Sequence, residues 1–359
     1  MQQTIKFKST QEETSFFDEI KKNVADYFTE SKISSLANTE MIVKITFWIL
    51  FWGVSWYGVI VFKDYFFIAF LIGTAHMLTH TMIAFNFVHD ANHDAVFKSK
   101  QANNILAHFI ELLGVNRKIW MVAHNQEHHT FINIHKHDSN IEGYGFLRLC
   151  PEDKWLWHHK FQWLYAPFVY GLAGLNFATI KDFKLISRYA KKEKLDVTFR
   201  FLLEFIFFRL VYLTYIFIIP IFVFSVSFKL ILLFYFVGHF FNGILLAMIF
   251  VTGHLTETVA YPPVTNHTVN NNWAVHVIST TGDYATESSM LPWLVGGLNL
   301  HVAHHLFPKI CHVHYKDISP IIKKTALKHG YAYREIPTFG TALKSHFSLL
   351  KTLSNPAYK

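Results

Sequence analysis

The chain has 359 residues and a formal net charge of +8, and 52% of its residues are apolar, 17% aromatic and only 16% charged. Soluble domains carry roughly a quarter charged residues, so this composition favours a protein that is embedded in lipid. It excludes a disordered, a collagen-like and a disulfide-rich protein. Cys150 and Cys311 are too few for an iron–sulfur cluster or a zinc ribbon. Because the lysines flank long apolar segments, we expect contact with anionic lipid headgroups and no nucleic acid.

The N-terminal segment, residues 1–42, is polar and charged, and we expect no cleavable signal sequence in it. Phe16, Ile20 and Val24 recur at helical spacing, and Lys21 and Lys22 lie between them. The pattern predicts an amphipathic helix that lies on a membrane surface.

Four apolar segments are long enough to cross a bilayer, which takes about 20 residues of helix. They are residues 45–62, 65–88, 201–224 and 230–253. The spacers between the first two and between the last two are too short to hold a domain, so the segments form two hairpins. Of the 33 Lys and Arg residues, 28 lie in residues 1–42, 89–198 and 254–359. The positive-inside rule then predicts that both termini and the middle loop face the cytoplasm.

These segments predict an all-α integral membrane protein with four transmembrane helices, interfacial helices and a cytoplasmic helical cap. The Trp- and Tyr-rich segment 154–174 is one predicted interfacial helix. We expect one domain over residues 1–359, since no repeat or low-complexity linker divides it. Its predicted parts are the N-terminal segment 1–42, the hairpin 45–88, the cytoplasmic loop 89–200, the hairpin 201–253 and the C-terminal part 254–359.

The 23 histidines are the exceptional feature of the composition, because many of them occur in three clusters. Residues three or four apart share a helix face, so each cluster can direct two or three imidazoles at one point. Eight imidazoles exceed the needs of one metal and suit two borderline metals with open positions. The first cluster (HDANH) contains His89 and His93, the second (HNQEHH) His124, His128 and His129, and the third (HVAHH) His301, His304 and His305.

Other interpretations of the histidines fit less well. A zinc protease would need H-E-x-x-H, which the second cluster lacks because Glu127 directly precedes His128. A bis-histidine haem protein would place paired histidines inside the spans. His76 and His80 are four residues apart within the second span, but the fourth span contains only His239 and offers no matching pair. We therefore interpret His76 and His80 as buried or tunnel-lining residues. A metal transporter would place its ligands at mid-membrane, whereas the densest clusters lie outside the spans.

HDANH, HNQEHH and HVAHHLFP, with these spans between them, resemble the three histidine boxes of the membrane fatty acid desaturase superfamily. WLVGGLNLHVAHHLFP, HVHY and HGYAY further resemble the front-end (Δ5/Δ6-type) and bacterial acyl-lipid or acyl-CoA branch. Many front-end enzymes carry Gln where this chain has His301, a change that keeps a metal ligand. No H-P-G-G segment of a fused cytochrome b5 occurs in the sequence.

The resemblance implies two Fe ions that are held by the eight cluster histidines and by a ninth. We expect His254, directly after the fourth span, to be the ninth ligand, with His276, a water molecule or an Asn side chain as the alternatives. Asp90, Glu127, Asp138 and His276 are candidates for a supporting shell that accepts imidazole N–H groups. No catalytic residue beyond the metal ligands is expected.

The resemblance also implies an O2-dependent desaturase that inserts a double bond into an acyl-lipid or acyl-CoA chain in the membrane. Two electrons per turnover would come from an external ferredoxin or cytochrome b5, for which the basic segment 181–194 offers a docking patch. The alternatives are that this patch binds lipid headgroups or is merely a solvated face. Two further functions remain open, a di-iron lipid hydroxylase and a non-catalytic lipid sensor. The implied location is the bacterial inner membrane.

Overall fold

A computed structural model describes residues 5–358, and residues 1–4 and 359 of the predicted terminal parts lie outside the described residues. The chain divides into two compact units, each assembled from segments that are distant in sequence. Unit 1 comprises residues 1–38, 123–166 and 248–359, and unit 2 comprises residues 39–122 and 167–247.

The described residues are mostly helical, as the composition and the apolar segments predict. The α-helices are α1 (Gln11–Ser31), α2 (Thr39–Val61), α3 (Phe66–Ile83), α4 (His89–Asn92), α5 (Lys100–Ala107), α6 (Phe109–Leu112), α7 (Arg117–Met121), α8 (Gln162–Thr179), α9 (Lys181–Lys191), α10 (Phe199–Leu213), α11 (Phe228–His254), α12 (Trp273–Thr280), α13 (Met290–Leu294), α14 (His301–Leu306), α15 (Tyr315–Lys328) and α16 (Phe339–Leu353). Three π-helical segments (Ala84–Val88, Val122–His128, Thr214–Val223) and three 3-10 turns (Ser139–Ile141, Trp157–Phe161, His312–His314) complete the helical structure.

Four helical runs within the described residues are long and apolar enough to cross a membrane. They span Thr39–Val61, Phe66–Asn92, Phe199–Val223 and Phe228–His254. The number of spans predicted from the sequence is therefore confirmed. All four runs extend beyond the predicted segments: the first begins at Thr39 and the third at Phe199, while the second continues through α4 and the fourth ends at His254. His89 and His254 thus belong to the last turns of long helices.

Unit 2 holds the hairpin of α2 and α3 together with α10 and most of α11. Its core is apolar and includes Met77, Ile216 and Phe234. Large apolar side chains such as Val54 and Phe222 are exposed on the spanning helices, as lipid-facing positions require.

Two glycines allow α8 and α11 of unit 2 to approach closely. A Cβ atom on Gly174 would lie 2.1 Å from the His239 carbonyl oxygen, and one on Gly243 would lie 2.3 Å from that of Tyr170. Small residues at such crossings are typical of helix packing in membranes, where close backbone contact stabilises association.

Unit 1 is built around α1, α12, α14 and α15. Phe16, Ile20 and Val24 of α1 are buried in this core and pack with residues of α15 such as Ile318 and Ile322. The helix predicted from the N-terminal pattern therefore forms, but its apolar face is covered by protein. The prediction that this face lies on a membrane surface is wrong, because α15 supplies the apolar partner that a lipid surface would otherwise provide.

Two short parallel strand pairs tie distant parts of unit 1 together. β1 (Lys6–Phe7) pairs with β2 (Thr268–Val269), and β3 (Asp283–Tyr284) pairs with β4 (Glu335–Ile336). The second pair places Asp283 beside the start of α14, where its carboxylate accepts a hydrogen bond from the Val302 N–H at 2.9 Å.

Candidate metal centre

The second histidine cluster lies on a π-helical turn, not on a regular α-helix. The His129 N–H donates to the His124 carbonyl at 2.9 Å, which closes a turn one residue longer than that of an α-helix. This turn brings the His124 and His129 rings to 4.6 Å between centroids. His128 points in another direction, and its ring lies 4.7 Å from that of His254.

The third cluster forms α14. The spacing of its three histidines along the helix directs their imidazoles to two different sides. His301 and His305 are four residues apart and share a helix face, with ring centroids separated by 5.0 Å. His304 is directed elsewhere, and its ring lies 4.6 Å from that of His129. Each of these two clusters of unit 1 thus contributes to two separate groups of imidazoles.

The larger group in unit 1 contains four buried imidazoles whose possible ligand nitrogens lie within 4.8 Å of one another. We call it the four-histidine group, and it consists of His128, His254, His301 and His305. The Nε2 atoms of His254 and His305 are only 3.0 Å apart. Two imidazoles at this distance cannot both carry a positive charge, and burial lowers the pKa of His305 well below its ordinary value.

Fixed oxygen acceptors orient three of these four rings. The Nδ1 atom of His128 contacts both oxygens of Asp138 at 3.0 and 3.1 Å. The Nδ1 atoms of His254 and His301 contact the carbonyl oxygens of Thr280 and Leu298 at 3.3 and 2.6 Å. An Nδ1–H that is held in this way leaves Nε2 as the electron-pair donor, which is the arrangement seen around metal-binding histidines.

The donor set fits a transition-metal ion. Neutral imidazoles are ligands for iron, copper, nickel and zinc. Within the described residues, Nε2 of His128 and Nδ1 of His305 are buried and have no hydrogen-bond partner. A buried polar atom without a partner is costly, and a metal bond would satisfy it.

A second set in unit 1 contains His124, His129 and His304. Their possible ligand nitrogens also lie within 4.8 Å of one another, and the Nε2 atoms of His124 and His129 are 3.1 Å apart. The Nδ1 atom of His304 lies 3.3 Å from the Tyr315 hydroxyl. We call these residues the three-histidine set.

The first cluster belongs to unit 2. His89 and His93 follow the π-helical segment Ala84–Val88, and their ring centroids are 4.9 Å apart. Both rings lie against Trp120, at 5.9 and 6.5 Å. Burial lowers the pKa of His93 well below its ordinary value, so this imidazole is neutral and able to bind a metal.

Comparison with known proteins identifies the family. The sequence profile described as fatty acid desaturase matches residues 64–337, about three quarters of the chain. The chain belongs to the fatty acid desaturase family. It is therefore an oxidoreductase, and the family resemblance predicted from the histidine clusters is confirmed. The family uses iron, which agrees with the imidazole donor sets.

The relatives agree with the predicted front-end branch. The desaturase is 29% identical to the sn-1 linoleoyl-lipid 6-desaturase of Synechocystis sp. over 93% of this chain and 94% of that protein. It is 30% identical to the enzyme of the same name from Arthrospira platensis, over 96% and 94% of the two chains. It is 29% identical to the acyl-lipid (8-3)-desaturase of Physcomitrium patens, over 95% of this chain and 72% of that protein. These names do not favour a hydroxylase. No solved structure gives a significant match.

The predicted supporting residues of the desaturase differ in what they contact. Asp138 holds His128 and also accepts the backbone N–H groups of Asn133 and Asn140, at 3.0 and 2.9 Å. Asp90 lies 3.8 Å from Nδ1 of His89, which is beyond hydrogen-bonding distance. Glu127 is buried, and its backbone carbonyl accepts from the Phe131 N–H at 2.9 Å.

His276, the alternative ninth ligand, is buried in unit 1 but belongs to neither set of imidazoles there. Its ring packs on Phe7 at 5.2 Å between centroids. His254 instead lies inside the four-histidine group, with its ring 4.4 Å from that of His301.

Two residues that support the site were not found from the sequence. Asp283 accepts a hydrogen bond from the Tyr333 hydroxyl as well as from Val302, and burial raises its pKa to about 7. Asn133 donates from its side chain to the His254 carbonyl at 2.8 Å. Their partners are 19 to 121 residues away, so no local pattern reveals them. The one available signal is that Asp283 lies in a segment of small residues.

Proposed function

We propose that this desaturase holds two Fe ions and introduces a double bond into the chain of an acyl-lipid or acyl-CoA, using O2 and two electrons from an external donor. The observation that carries this proposal is the sorting of the unit 1 imidazoles into two sets, each suited to one metal ion. One metal alone would leave three or four of these seven imidazoles without a role.

The four-histidine group would hold one iron. The three-histidine set would hold the other, and His89 and His93 are the remaining proposed ligands of the iron pair. This assignment makes His254 the ninth ligand and uses all eight histidines of the clusters. Asp138 is the acceptor that fixes the ring of His128, and we assign Asp90, Glu127 and His276 to the surroundings of the site without metal contact.

When bound, the iron pair supplies the activation of O2 that removes two hydrogens from adjacent methylenes, with the oxygen leaving as water. The residues of the chain keep the ligand set oriented. Asp138 and the carbonyls of Thr280 and Leu298 hold the Nδ1 protons, so the Nε2 atoms stay available as donors. His128, His254 and His305 are fully buried, which excludes bulk water from this part of the site.

We also propose one desaturase domain over residues 1–359, with the boundaries predicted from the sequence. Both termini, the loop 89–200 and the part 254–359 face the cytoplasm in this proposal, and the membrane is a bacterial inner membrane. The distribution of Lys and Arg supports this orientation, because 28 of 33 lie in these parts of the chain.

The electron donor would dock on α9. Leu185 and Tyr189 of this helix are buried, whereas Lys184 and Lys191 are exposed. A helix with one buried and one basic face suits an acidic partner, through complementary charge.

Expression in a host that lacks this activity tests the proposed function. Gas chromatography–mass spectrometry of derivatised fatty acids should show a new double bond, and the His305→Ala variant should show none. A new hydroxyl group would support the hydroxylase instead. An unchanged lipid profile with a membrane-inserted and iron-loaded protein would contradict both enzymatic functions.

A further inference from the structure

A mixed cluster of metal-binding side chains lies in unit 1, apart from the imidazole sets. His135, Cys150 and Glu152 each offer one ligand atom, and these atoms all lie within 4.8 Å of one another. The Cys150 Sγ atom is 2.6 Å from Oε2 of Glu152. A fourth group, Asp153, adds a carboxylate oxygen 3.5 Å from Nε2 of His135.

The turn that carries three of these groups is held in place by a buried arginine. The Arg148 guanidinium donates to the carbonyls of Pro151 and Asp153, at 2.5 and 3.0 Å. It also donates to the carbonyls of Leu353 and Asn355, both at 3.1 Å. The thiol and the carboxylates therefore sit on a preorganised backbone, as a metal site requires.

A cavity of about 340 Å³ opens on this cluster. His135, Cys150 and Asp153 line it, and Lys136, Glu142 and Lys154 add charged groups. The space allows a water molecule to complete the coordination of a bound ion.

We propose that His135, Cys150 and Glu152 bind a divalent cation of the zinc class, with Asp153 or a water molecule as the fourth ligand. Zinc is bound in proteins by this combination of imidazole nitrogen, thiolate sulfur and carboxylate oxygen. A thiolate excludes magnesium and calcium, which prefer oxygen ligands. On binding, the S–H bond of Cys150 breaks, the sulfur donates its electron pair to the ion, and the proton leaves to water.

The burial of Cys150 and its contact with Glu152 raise the pKa of its thiol, so without an ion the sulfur stays protonated. A divalent cation would offset the negative charges of the thiolate and the neighbouring carboxylates.

Binding would also stabilise the protein locally. His135 lies three residues before Asp138, which contacts His128, so the ion would join the loop of Asp138 to the turn fastened by Arg148. An ion that binds the folded state alone raises thermal stability by mass action.

Titration of the full-length purified protein in lipid nanodiscs with Co2+ tests this site. The chain has only two cysteines, so a sulfur-to-cobalt charge-transfer band in the near ultraviolet can arise only from Cys150 or Cys311. The wild type should develop this band at one equivalent, and Zn2+ should abolish it. Cys150→Ser should lose the band, whereas Cys311→Ser, the matched variant at the other buried cysteine, should keep it.

Glu152→Gln provides a second variant at an exposed position, where the fold tolerates the change. Its affinity for Co2+ should fall roughly tenfold or more, since even the loss of an outer partner of a metal site costs this much. The absence of the band in the wild type, its persistence in Cys150→Ser, or an unchanged affinity of Glu152→Gln would overturn the proposal.

Discussion

His128 and His129 are neighbours in the sequence, yet the imidazole of His128 belongs to the four-histidine group and that of His129 to the three-histidine set. Their ring centroids are 5.9 Å apart. His128 lies 4.7 Å from His254, and His129 lies 4.6 Å from His304. The π-helical turn over Val122–His128 directs the two side chains apart. A single six-residue cluster thus contributes imidazoles to both groups.

Removing the charge that orients His128 should weaken the iron centre. Asp138→Asn keeps the shape of the side chain but replaces the anionic acceptor with a neutral amide. We expect a loss of roughly 10- to 100-fold in iron affinity or activity, as is typical of such outer partners. Iron content after dialysis against a weak chelator, with turnover measured alongside, checks this result. Wild-type iron retention would show that the carboxylate charge is dispensable.

His254 and His276 can be compared directly, because both are buried histidines of unit 1. His254→Ala removes a member of the four-histidine group, so we expect the loss of about one iron per chain and of turnover. His276→Ala leaves both sets complete and should retain its iron. Iron quantification and product analysis of the two variants side by side decide between them. A fully loaded and active His254→Ala protein would contradict the assignment of the ninth ligand.

The four spans and the three histidine clusters could be predicted from the sequence, because apolarity and short spacings are local properties. The division of the clusters between two sets could not be predicted. It depends on whether the His129 N–H bonds to the fourth or the fifth preceding carbonyl, and sequence spacing is compatible with both. The membrane contact predicted for Phe16 and Ile20 is wrong for a related reason: an amphipathic pattern identifies an apolar face, but not whether protein or lipid covers it.

Glu111 of unit 2 should make the stability of the protein depend on pH. Burial raises the pKa of its carboxyl to about 7, although the backbone N–H of Arg117 donates to it at 2.8 Å. The folded state therefore binds more protons than the unfolded state between about pH 4.5 and 7, so its stability falls as the pH rises through this range. This pKa shift corresponds to a loss of roughly 2–4 kcal/mol in the free energy of unfolding across that pH range.

Glu111→Gln tests this dependence, since glutamine keeps an oxygen acceptor and cannot ionise. We expect the variant to match the wild type near pH 5 and to exceed it in melting temperature near pH 8. Glu287→Gln, at an exposed position, controls for effects of pH on the rest of the protein. Parallel pH profiles of the wild type and Glu111→Gln would disprove the role of Glu111.

Reversing exposed charges on α9 should slow electron delivery without altering the metal centre. Lys184→Glu with Lys191→Glu removes two positive charges and adds two negative ones on the face proposed to meet an acidic donor. Complementary charges mainly accelerate association, so we expect donor-supported turnover at low salt to fall about tenfold and its salt dependence to flatten. Iron content should stay at the wild-type level, and Lys344→Glu on α16 serves as the control for charge reversal elsewhere. If the double variant keeps both the rate and the salt dependence of the wild type, the donor docks on another surface.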